Sequence, residues 1–588
     1  MTATAEVAEL SQAARQEILR LSELYQQPRS ALLPALFVAQ AESGYLSPPA
    51  LAAVAQTLNL PLAQVVSAAS FYNLLTLRPA GRKTVRVCTS ISCMLAGCTA
   101  ILECLQDTLG IRTGQTTPDG EFTLQVAECL AACNEAPVLM LDEELWAGVK
   151  AEEVAGILGG RAGRAPRPGP SLGGRRPPDG SILLKWIGDG SGRDLDAYCR
   201  AGGYEAARRV ATELTADQVI EQVTASGLRG KGGAGFPAGQ KWKFIPRTAP
   251  VKFLVANGDE GEPGTFKDRT LLEGCPHLLI EGILIAAVAI GAAKAYVYLR
   301  GEFAAGRRLL ENALAQARAA GFVGNGIFGS PHSVEIVVHS GGGAYIAGEE
   351  SALLESLEGR PALPRVRPPF PAQAGFYRQP TLVHNVETLC HLPAIITLGP
   401  ERYRSLGPPA LFSVSGCVAR PGVYEAPLGV TLRSLTFDYA GGLRPGRRFK
   451  AAFPGGPSTM LLTEADLDIP LDYDSLRRAG SMLGSAAVIV MDEATDMVRV
   501  AARAAQFYRH ESCGKCTPCR IGTQQMARLL GGIVEGQGRP GDLQRLEGLA
   551  RSLRLTSLCG LGQTAGNAVG GTLRHFPEEY AHYVRGHA

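Results

Sequence analysis

Three cysteines crowded into one short run near the end of the chain constrain its fold most. Cys513, Cys516 and Cys519 are separated by two residues each in the run ESCGKCTPCR, and Cys559 follows forty residues after the third. Thiolates at this spacing wrap a loop around one face of a cubane cluster, and a remote fourth thiolate completes the ligand set. We therefore predict a [4Fe-4S] cluster. Structural zinc, which rarely uses this triple spacing, and a redox thiol set are the alternatives.

A second cysteine set lies in the first quarter of the chain. Cys88 and Cys93 are separated by four residues, and after 35 intervening residues Cys129 and Cys133 are separated by three. Because Cys88 and Cys129 each close a predicted strand, two parallel strand ends present four thiolates, which suit a [2Fe-2S] cluster. Buried apolar cysteines and a zinc site are the alternatives. Cys98 is a rival ligand, although packing on a helix face is its favoured role.

Composition limits the cellular compartment and the classes of binding partner that we expect for this chain. The chain has 588 residues, 14 cysteines, and 58 basic against 55 acidic residues. The N-terminus lacks the pattern of a secretory signal, so we expect a cytoplasmic protein whose cysteines ligate metal or remain reduced in the core. No block of like charge favours a nucleic-acid or membrane partner. Residues 278–299 are apolar but contain Glu281 and Lys294, which predicts a helix followed by a strand rather than a membrane span.

Shifts in composition divide the chain, because 588 residues exceed what one hydrophobic core usually organises. The clearest shift is at residues 159–180, where the density of Gly, Pro and Arg makes a packed element improbable and predicts a linker. In the second segment a single helix is expected over 94–109, between its first two strands. The predicted segments are, in order, a helical bundle (1–80), a compact α/β unit (81–158), the linker (159–180), a nucleotide-binding α/β domain (181–400), a β-rich unit (401–492) and a helical segment (493–588).

A glycine-rich loop at residues 228–237 is the first candidate ligand site. Gly230 and Gly232 let backbone amides approach a phosphate, and Lys231 and Lys241 add positive charge. A glycine-rich turn without a ligand is the alternative. The loop is not the dinucleotide fingerprint, because no clear strand precedes it and no acidic ribose partner is evident.

Two further loops each follow an apolar strand. The first places Asn257 and Asp259 at a strand's carboxyl end, where α/β proteins bind ligands; solvated acids are the alternative. The second places Tyr345 as a flat wall for an isoalloxazine ring or a base, with Glu349 and Glu350 nearby. A plain helix start, with both acids favouring the helix dipole, is the alternative for the second loop.

Together these motifs resemble one known family, the NADH-binding flavoprotein of respiratory complex I and its relatives in NAD-reducing hydrogenases and NAD-dependent formate dehydrogenases. The resemblance runs from about residue 181 to the C-terminus and is carried by LRGKGGAGFPAGQKW, NGDEGEPGTFKDR, GAYIAGEES, PPFPAQAGF, HNVET and ESCGKCTPCR. Residues 1 to about 158 resemble the thioredoxin-like [2Fe-2S] subunit of the same complexes, here fused upstream. Such a fusion fits hydrogenase and formate dehydrogenase systems better than most complex I assemblies.

The resemblance implies FMN and NAD(H) as cofactors beside the two clusters. Its FMN pocket corresponds to Gly230, Gly232, Lys241, Asn257, Asp259, Tyr345, Gly348, Glu349, Glu350, Asn385 and Thr388. Its NADH site corresponds to Phe236, Phe244 and Phe370 on the adenine side, Glu262 near the ribose, and Arg367 in place of a usual lysine. His384 stands where the family has an asparagine, which affects one flavin contact. No catalytic acid or base is implied, although Glu350 lies near the site of hydride transfer.

The implied fold class is multidomain α/β and α+β. It comprises a helical bundle with a thioredoxin-like domain, a Rossmann-like FMN and NADH domain, a ubiquitin-like β-grasp domain and a helical [4Fe-4S] bundle. The implied activity is that of a diaphorase, in which hydride passes between NADH and flavin and electrons pass singly to the clusters. A further iron–sulfur subunit and a hydrogenase subunit are the expected partners, with formate dehydrogenase second and complex I third. An iron–sulfur sensor or scaffold without turnover is the alternative of a different class.

Overall fold

Three β-sheets, each flanked by helices, organise the chain in this computed structural model. The structure describes residues 10–160, 181–188 and 190–584. Most of the predicted linker, residues 161–180, therefore lies outside the described residues. The mixed helical and sheet architecture confirms the expected multidomain α/β and α+β class.

The N-terminal segment is helical, as predicted. Its helices are Gln12–Ser22, Leu32–Ser43, Pro48–Thr57 and Leu62–Ala69. Ser11 and Ser47 begin two of them, because each side-chain oxygen accepts a first-turn backbone amide. The buried faces of these helices share one continuous apolar core with the larger α/β domain, including Tyr296 and Tyr298. The bundle therefore covers another part of the chain rather than standing alone.

The second segment contains a four-stranded sheet in the order β2-β1-β3-β4. Its strands are β1 (Lys83–Cys88), β2 (Phe122–Ala127), β3 (Val138–Leu141) and β4 (Glu144–Ala147), and its helices are Ile91–Leu95, Cys98–Leu109 and Val154–Leu158. β1 and β2 are parallel, which confirms the two parallel strand ends expected near the cysteines. The single helix expected over 94–109 is wrong: Gly97, at a φ of 89°, separates two helices.

The central α/β domain is built on a parallel sheet in the order β7-β6-β5-β8. Its strands are β5 (Phe253–Gly258), β6 (Lys294–Leu299), β7 (Glu335–Ser340) and β8 (Thr381–Asn385). Its helices are Leu195–Arg200, Glu205–Thr212, Ala216–Ala225, Ala238–Lys243, Lys267–Gly274, Pro276–Ile290, Ala304–Ala319, Glu350–Leu357, Pro371–Ala374, Val386–Cys390, Leu392–Leu398 and Pro400–Ser405. Side chains of β5 alternate between two cores, so the sheet is buried on both faces.

The most apolar stretch forms a helix and then a strand, as predicted, and the helix Pro276–Ile290 is buried throughout. Within the described ranges, no single helix has the length and apolar character to cross a membrane. One pair of helices, Lys267–Gly274 and Pro276–Ile290, meets those criteria jointly by length and composition, with a bend of 100° between them.

The remaining described chain forms a mixed sheet and a helical bundle. The sheet has the order β10-β9-β13-β11-β12, with β9 parallel to β13. Its strands are β9 (Pro409–Gly416), β10 (Gly422–Pro427), β11 (Phe449–Phe453), β12 (Leu462–Thr463) and β13 (Ala487–Asp492), and its helices are Leu432–Ser434 and Tyr473–Arg478. The bundle contains Met497–Glu511, Thr517–Val534, Pro540–Thr556, Gly560–Thr564, Asn567–His575 and Pro577–Val584.

Candidate functional site

Two asparagines lie at the carboxyl ends of neighbouring parallel strands and organise the centre of the candidate site. Asn257 on β5 is in register with Asn385 on β8. Asn257 Nδ2 donates to the Gly348 carbonyl at 2.9 Å, and its Oδ1 accepts the Asp259 amide at 3.1 Å. Asn385 Nδ2 donates to the Asp268 carboxylate at 2.5 Å. Two of the predicted loops and the HNVET segment therefore meet at one edge of the sheet, at the carboxyl ends of its strands.

The glycine-rich loop closes onto the same edge. The Lys231 amide donates to Thr388 Oγ1 at 2.9 Å, and the Gly230 carbonyl accepts from the Tyr473 hydroxyl at 3.0 Å. A Cβ on Gly232 would lie 3.2 Å from the Cβ of Asn385, so a residue without a side chain permits this close approach. The Lys231 ammonium is buried and donates to a carbonyl at the start of β9 at 3.0 Å. Burial lowers the pKa of Lys231 to about 8.

Asp259 supplies a buried acceptor at this edge. Among the described residues its Oδ2 is buried and has no hydrogen-bond partner. Burial raises the pKa of the Asp259 carboxyl well above its ordinary value. An unpaired buried polar atom is costly unless a ligand satisfies it. The unpaired oxygen of Asp259 therefore fits the predicted ligand position, where a polar group of a bound molecule would satisfy it.

Two acids and two bases pair at the mouth of the site. Lys241 Nζ lies 2.7 Å from Glu350 Oε2 and also donates to the carbonyl of Val383 at 2.8 Å. Arg367 contacts Glu350 at 3.1 Å and Glu349 at 3.4 Å. The pairing leaves this small group with no formal net charge. Glu349 also accepts the first-turn amides of the helix Glu350–Leu357, so the helix start that was the alternative for this loop is present.

Tyr345 is held from three directions. Its hydroxyl donates to Glu262 Oε2 at 2.5 Å, and its amide donates to Glu511 Oε2 at 2.9 Å. Its ring meets Phe507 edge to face, with centroids 5.0 Å apart. The other oxygen of Glu262 accepts the Ser458 amide at 3.0 Å. Burial raises the pKa of the Glu262 carboxyl.

Three phenylalanines predicted for the adenine side remain exposed. Phe236, Phe244 and Phe370 are 46%, 44% and 51% exposed. The rings of Phe236 and Phe244 lie 6.1 Å apart, and the guanidinium of Arg367 lies 5.8 Å from the Phe370 ring. Exposed aromatic faces beside a cation provide stacking surfaces for a planar base.

The four cysteines of the C-terminal set come together. Cys513 and Cys516 are partly buried, and Cys519 and Cys559 are buried. Burial and then the charges of the other three thiols raise the pKa of Cys519 to about 11. Cys516 begins the helix Thr517–Val534.

Backbone amides also reach the sulfur atoms of this set. The nearby amide of Lys515 lowers the pKa of the Cys513 thiol, and those of Gly562 and Leu561 lower the pKa of the Cys559 thiol, although burial raises both pKa values more strongly. Amide donors near sulfur tune a cluster's potential. Four soft thiols with amide donors around them fit a [4Fe-4S] cluster. Burial, and to a smaller extent the charge of Glu349, raises the pKa of Cys559. The loop that carries Tyr345 and Glu349, called the flavin loop below, therefore lies within electrostatic reach of this set.

The four N-terminal cysteines are all buried and interact with one another. The sulfur atoms of Cys129 and Cys133 lie 3.8 Å apart. Two thiolates bound at about 2.3 Å to one tetrahedral metal would stand roughly 3.8 Å apart, so this pair fits a shared iron. Hydrogen bonds from Cys133 and Cys88 lower the pKa of Cys129, whereas those bonds and burial raise the pKa of Cys88 and Cys133.

Cys98, the rival ligand, begins the helix Cys98–Leu109 and is buried. Burial raises the pKa of its thiol to about 12. Within the part of the chain that the structure describes, no group of three or more His, Cys, Asp or Glu side chains is arranged to hold a single metal ion.

Comparison with known proteins agrees with this arrangement. The family model of the Nuo51 FMN-binding domain matches residues 223–394, that of the thioredoxin-like [2Fe-2S] ferredoxin matches 18–161, and that of the NADH-ubiquinone oxidoreductase-F iron-sulfur binding region matches 499–583. The NADH-quinone oxidoreductase F-subunit 2 of Rhizobium meliloti is 47% identical over 409 residues, which cover 68% of this chain and 97% of that protein. The chain belongs to the F-subunit family of NADH-quinone oxidoreductases.

Other members of the F-subunit family match in the same way. Those of Aquifex aeolicus and Escherichia coli are 45% and 44% identical, over 68% and 66% of this chain and 94% and 88% of their own lengths. A chain in the crystal structure of an NAD+-reducing [NiFe]-hydrogenase in the H2-reduced state matches with a TM-score of 0.84 and 35% identity, over 95% of this chain and 93% of its own. The air-oxidized state gives a TM-score of 0.82 and 34% identity, over 94% and 93%.

Membership of the F-subunit family and the three domain models establish the general chemistry. The chain is an NADH-oxidising enzyme module with FMN, NAD(H), [2Fe-2S] and [4Fe-4S] cofactors. The curated relatives are by name subunits of NADH-quinone oxidoreductase, and the solved neighbour is a chain of a hydrogenase. This confirms the sequence-based predictions of the cofactors and of the oxidoreductase class.

Sequence reasoning missed the buried charges beneath the site. The ammonium of Lys267 lies 2.8 Å from Asp268 and 2.9 Å from Glu387, and all three side chains are at most 3% exposed. The other oxygen of Glu387 accepts the Leu411 amide on β9 at 2.9 Å. One sequence signal could have revealed them: the charged residues of NGDEGEPGTFKDR and HNVET directly adjoin apolar runs. Such charges must be paired when they are buried.

His384, the expected departure from the family pattern, is buried and has a hydrogen-bond partner in the core. Trp242 Nε1 donates to His384 Nε2 at 2.7 Å. Burial, and then the charge of Lys241, lowers the pKa of His384 well below its ordinary value. The imidazole is therefore a neutral acceptor for the indole.

Proposed function

We propose that this chain is the diaphorase subunit of an NAD-reducing hydrogenase, passing electrons between NAD(H) and a further iron–sulfur subunit that serves the hydrogenase subunit. The proposal rests on the share of this chain that each relative matches. The hydrogenase chain matches 95% of this chain, including its N-terminal third, whereas the F-subunit relatives match about two thirds of it. The same module in a formate dehydrogenase or in complex I is the alternative. A cytoplasmic location follows from the proposal, because NAD(H) is a cytoplasmic substrate.

The proposal assigns a role to each group in the site. The FMN positions are Gly230, Gly232, Lys241, Asn257, Asp259, Tyr345, Gly348, Glu349, Glu350, Asn385 and Thr388. The NADH positions are Phe236, Phe244, Glu262, Arg367 and Phe370. The cluster ligands are Cys88, Cys93, Cys129 and Cys133 for [2Fe-2S], and Cys513, Cys516, Cys519 and Cys559 for [4Fe-4S]. We also propose the segment bounds predicted from the sequence, which are 1–80, 81–158, 159–180, 181–400, 401–492 and 493–588.

The geometry supports a binding and positioning role for the protein. Bound FMN supplies the conversion between two-electron hydride chemistry and one-electron transfer. The aligned strand ends hold the flavin loops at one edge, and the exposed phenylalanines offer stacking surfaces for the adenine base. The Tyr345 amide bonds to Glu511, the residue that ends the helix before the C-terminal cysteines. Orientation and proximity are therefore the main contributions of the chain.

The enzyme activity is tested on the full chain purified without oxygen. NADH-dependent reduction of a viologen dye is measured, and FMN and iron are quantified on the same sample. We expect turnover with one FMN and about six irons per chain. A folded chain with all cofactors that reduces no acceptor would show that the sensor or scaffold hypothesis is right.

The partner is tested on the native complex, purified through a tag on this chain. We expect the complex to reduce NAD+ with H2. Reduction with formate but not with H2 identifies a formate dehydrogenase instead. NADH-dependent quinone reduction without either activity identifies complex I.

A further inference from the structure

Arg300 connects the loop after β5, which carries Asn257 and Asp259, to the loop that carries the second pair of [2Fe-2S] cysteines. It follows directly after β6 and is 8% exposed. Its Nη1 donates to the carbonyl of Glu260 at 2.7 Å, and its Nη2 donates to the carbonyl of Cys129 at 2.8 Å. The carboxylate of Glu302 accepts from Nη2 and Nε at 2.7 and 3.2 Å. The planar guanidinium is thus fixed in one orientation between two loops.

A neighbouring contact joins the same two parts of the chain. Arg269 Nη1 donates to the carbonyl of Ala131 at 3.3 Å. The central α/β domain therefore contacts the cysteine loop at Cys129 and Ala131. The surroundings of this thiol set are built jointly by two parts of the chain, and Arg300 contributes the buried positive charge beside Cys129.

We infer that Arg300 is a positioning residue for the [2Fe-2S] cluster. Its charge favours the reduced cluster, and its two carbonyl contacts fix the cysteine loop against the loop after β5. This inference rests on the proposed assignment of the four N-terminal cysteines as the ligands. Reduction adds one negative charge, and a buried cation stabilises that charge strongly because little water screens it. Hydrogen bonds and charge around the ligands are the protein's means of setting such potentials.

The test is a redox titration of the full, cofactor-loaded chain, followed by electron paramagnetic resonance. Arg300→Met removes the charge and the forked donor but keeps an unbranched side chain. We expect the [2Fe-2S] midpoint to fall by about 59 mV or more, which is a tenfold change in the ratio of reduced to oxidised cluster for one electron. The [4Fe-4S] midpoint is the internal reference. An unchanged [2Fe-2S] midpoint overturns the inference.

Two further variants separate charge, geometry and general effects. Arg300→Lys keeps a charge but not the fork, so its midpoint should lie between those of the wild type and Arg300→Met. Arg308→Met is the matched control, because Arg308 also pairs with the second segment, at Glu143, 3.1 Å away, but its side chain is 57% exposed. Its midpoint should equal that of the wild type. A fall in Arg308→Met equal to that in Arg300→Met overturns the inference.

Glu302→Gln provides a second test if Arg300→Met loses the cluster or does not fold. It removes the opposing carboxylate and leaves the guanidinium beside Cys129, so the [2Fe-2S] midpoint should rise. A fall or no change overturns the role of Arg300. A wild-type chain with about four irons and no [2Fe-2S] signal overturns the ligand assignment and the inference with it. Failure of the site and failure of Arg300 are therefore distinguished.

Discussion

The backbone amide of Tyr345 donates to the carboxylate of Glu511 at 2.9 Å and so joins the flavin loop to the segment that carries the C-terminal cysteines. Glu511 is the last residue of the helix Met497–Glu511, two positions before Cys513. Electron transfer between flavin and cluster depends on their separation, which a flexible junction would not hold constant. This bond is one fixed point of that junction.

Replacing Glu511 with Ala should loosen the junction. A hydrogen bond to a charged group contributes about 1.5–3 kcal/mol, so we expect a loss of that order in the free energy of unfolding and weaker retention of FMN. Thermal unfolding and the FMN content after gel filtration measure both effects. Glu511→Gln keeps an acceptor oxygen and serves as the control. Equal FMN loss in both variants would contradict a role for the hydrogen bond.

Cys559→Ser should remove the [4Fe-4S] cluster and spare the [2Fe-2S] cluster. We expect iron to fall from about six to about two atoms per chain, because serine does not replace a soft thiolate well. Iron analysis with electron paramagnetic resonance checks the result. Cys417→Ser is the matched control, since Cys417 is also buried but belongs to neither set. Retention of all six irons in Cys559→Ser would contradict the assignment.

Phe370→Ala should weaken NADH binding without affecting the flavin. Loss of an aromatic contact of about 0.5–1.5 kcal/mol corresponds to a rise in KM of roughly 2- to 10-fold. Steady-state dye reduction and FMN analysis measure the two quantities. Phe437→Ala is the control, because Phe437 is 38% exposed in the β-rich unit, away from the predicted NADH positions. The same KM for both variants would rule out stacking at Phe370.

His384→Asn, the change to the residue usual in the family, should destabilise this chain. It leaves the buried indole N–H of Trp242 without its 2.7 Å acceptor, at a cost of about 1–3 kcal/mol. Trp242→Phe removes the donor, so the double variant should lose less than the sum of the two single losses. Denaturant unfolding of all four proteins checks this. Additive losses would show that the pair is not coupled.

Local chemistry explains what could be predicted from the sequence. The cysteine spacings predict both clusters because each ligand set contains cysteines separated by only two to four residues. The apolar runs before Asn257 and Tyr345 predict strands because a buried parallel strand has a recognisable composition. The placement of Arg300 and Glu387 depends on contacts between segments far apart in sequence, and periodicity carries no signal of such contacts. Gly97 interrupts a helix pattern that is otherwise continuous, and its left-handed backbone is a property of the folded loop.

The core shared by the N-terminal helices and the central sheet has a consequence for synthesis on the ribosome. Tyr25 and Tyr72 pack against a sheet face whose first strand begins at Phe253. At translation rates of about 5–20 residues per second, these helices emerge on the order of ten seconds or more before that face exists. During this interval their apolar surface has no native partner, which leaves it prone to aggregation. Separate genes would let the two halves meet only after release, whereas the single reading frame guarantees one [2Fe-2S] carrier for every flavin site.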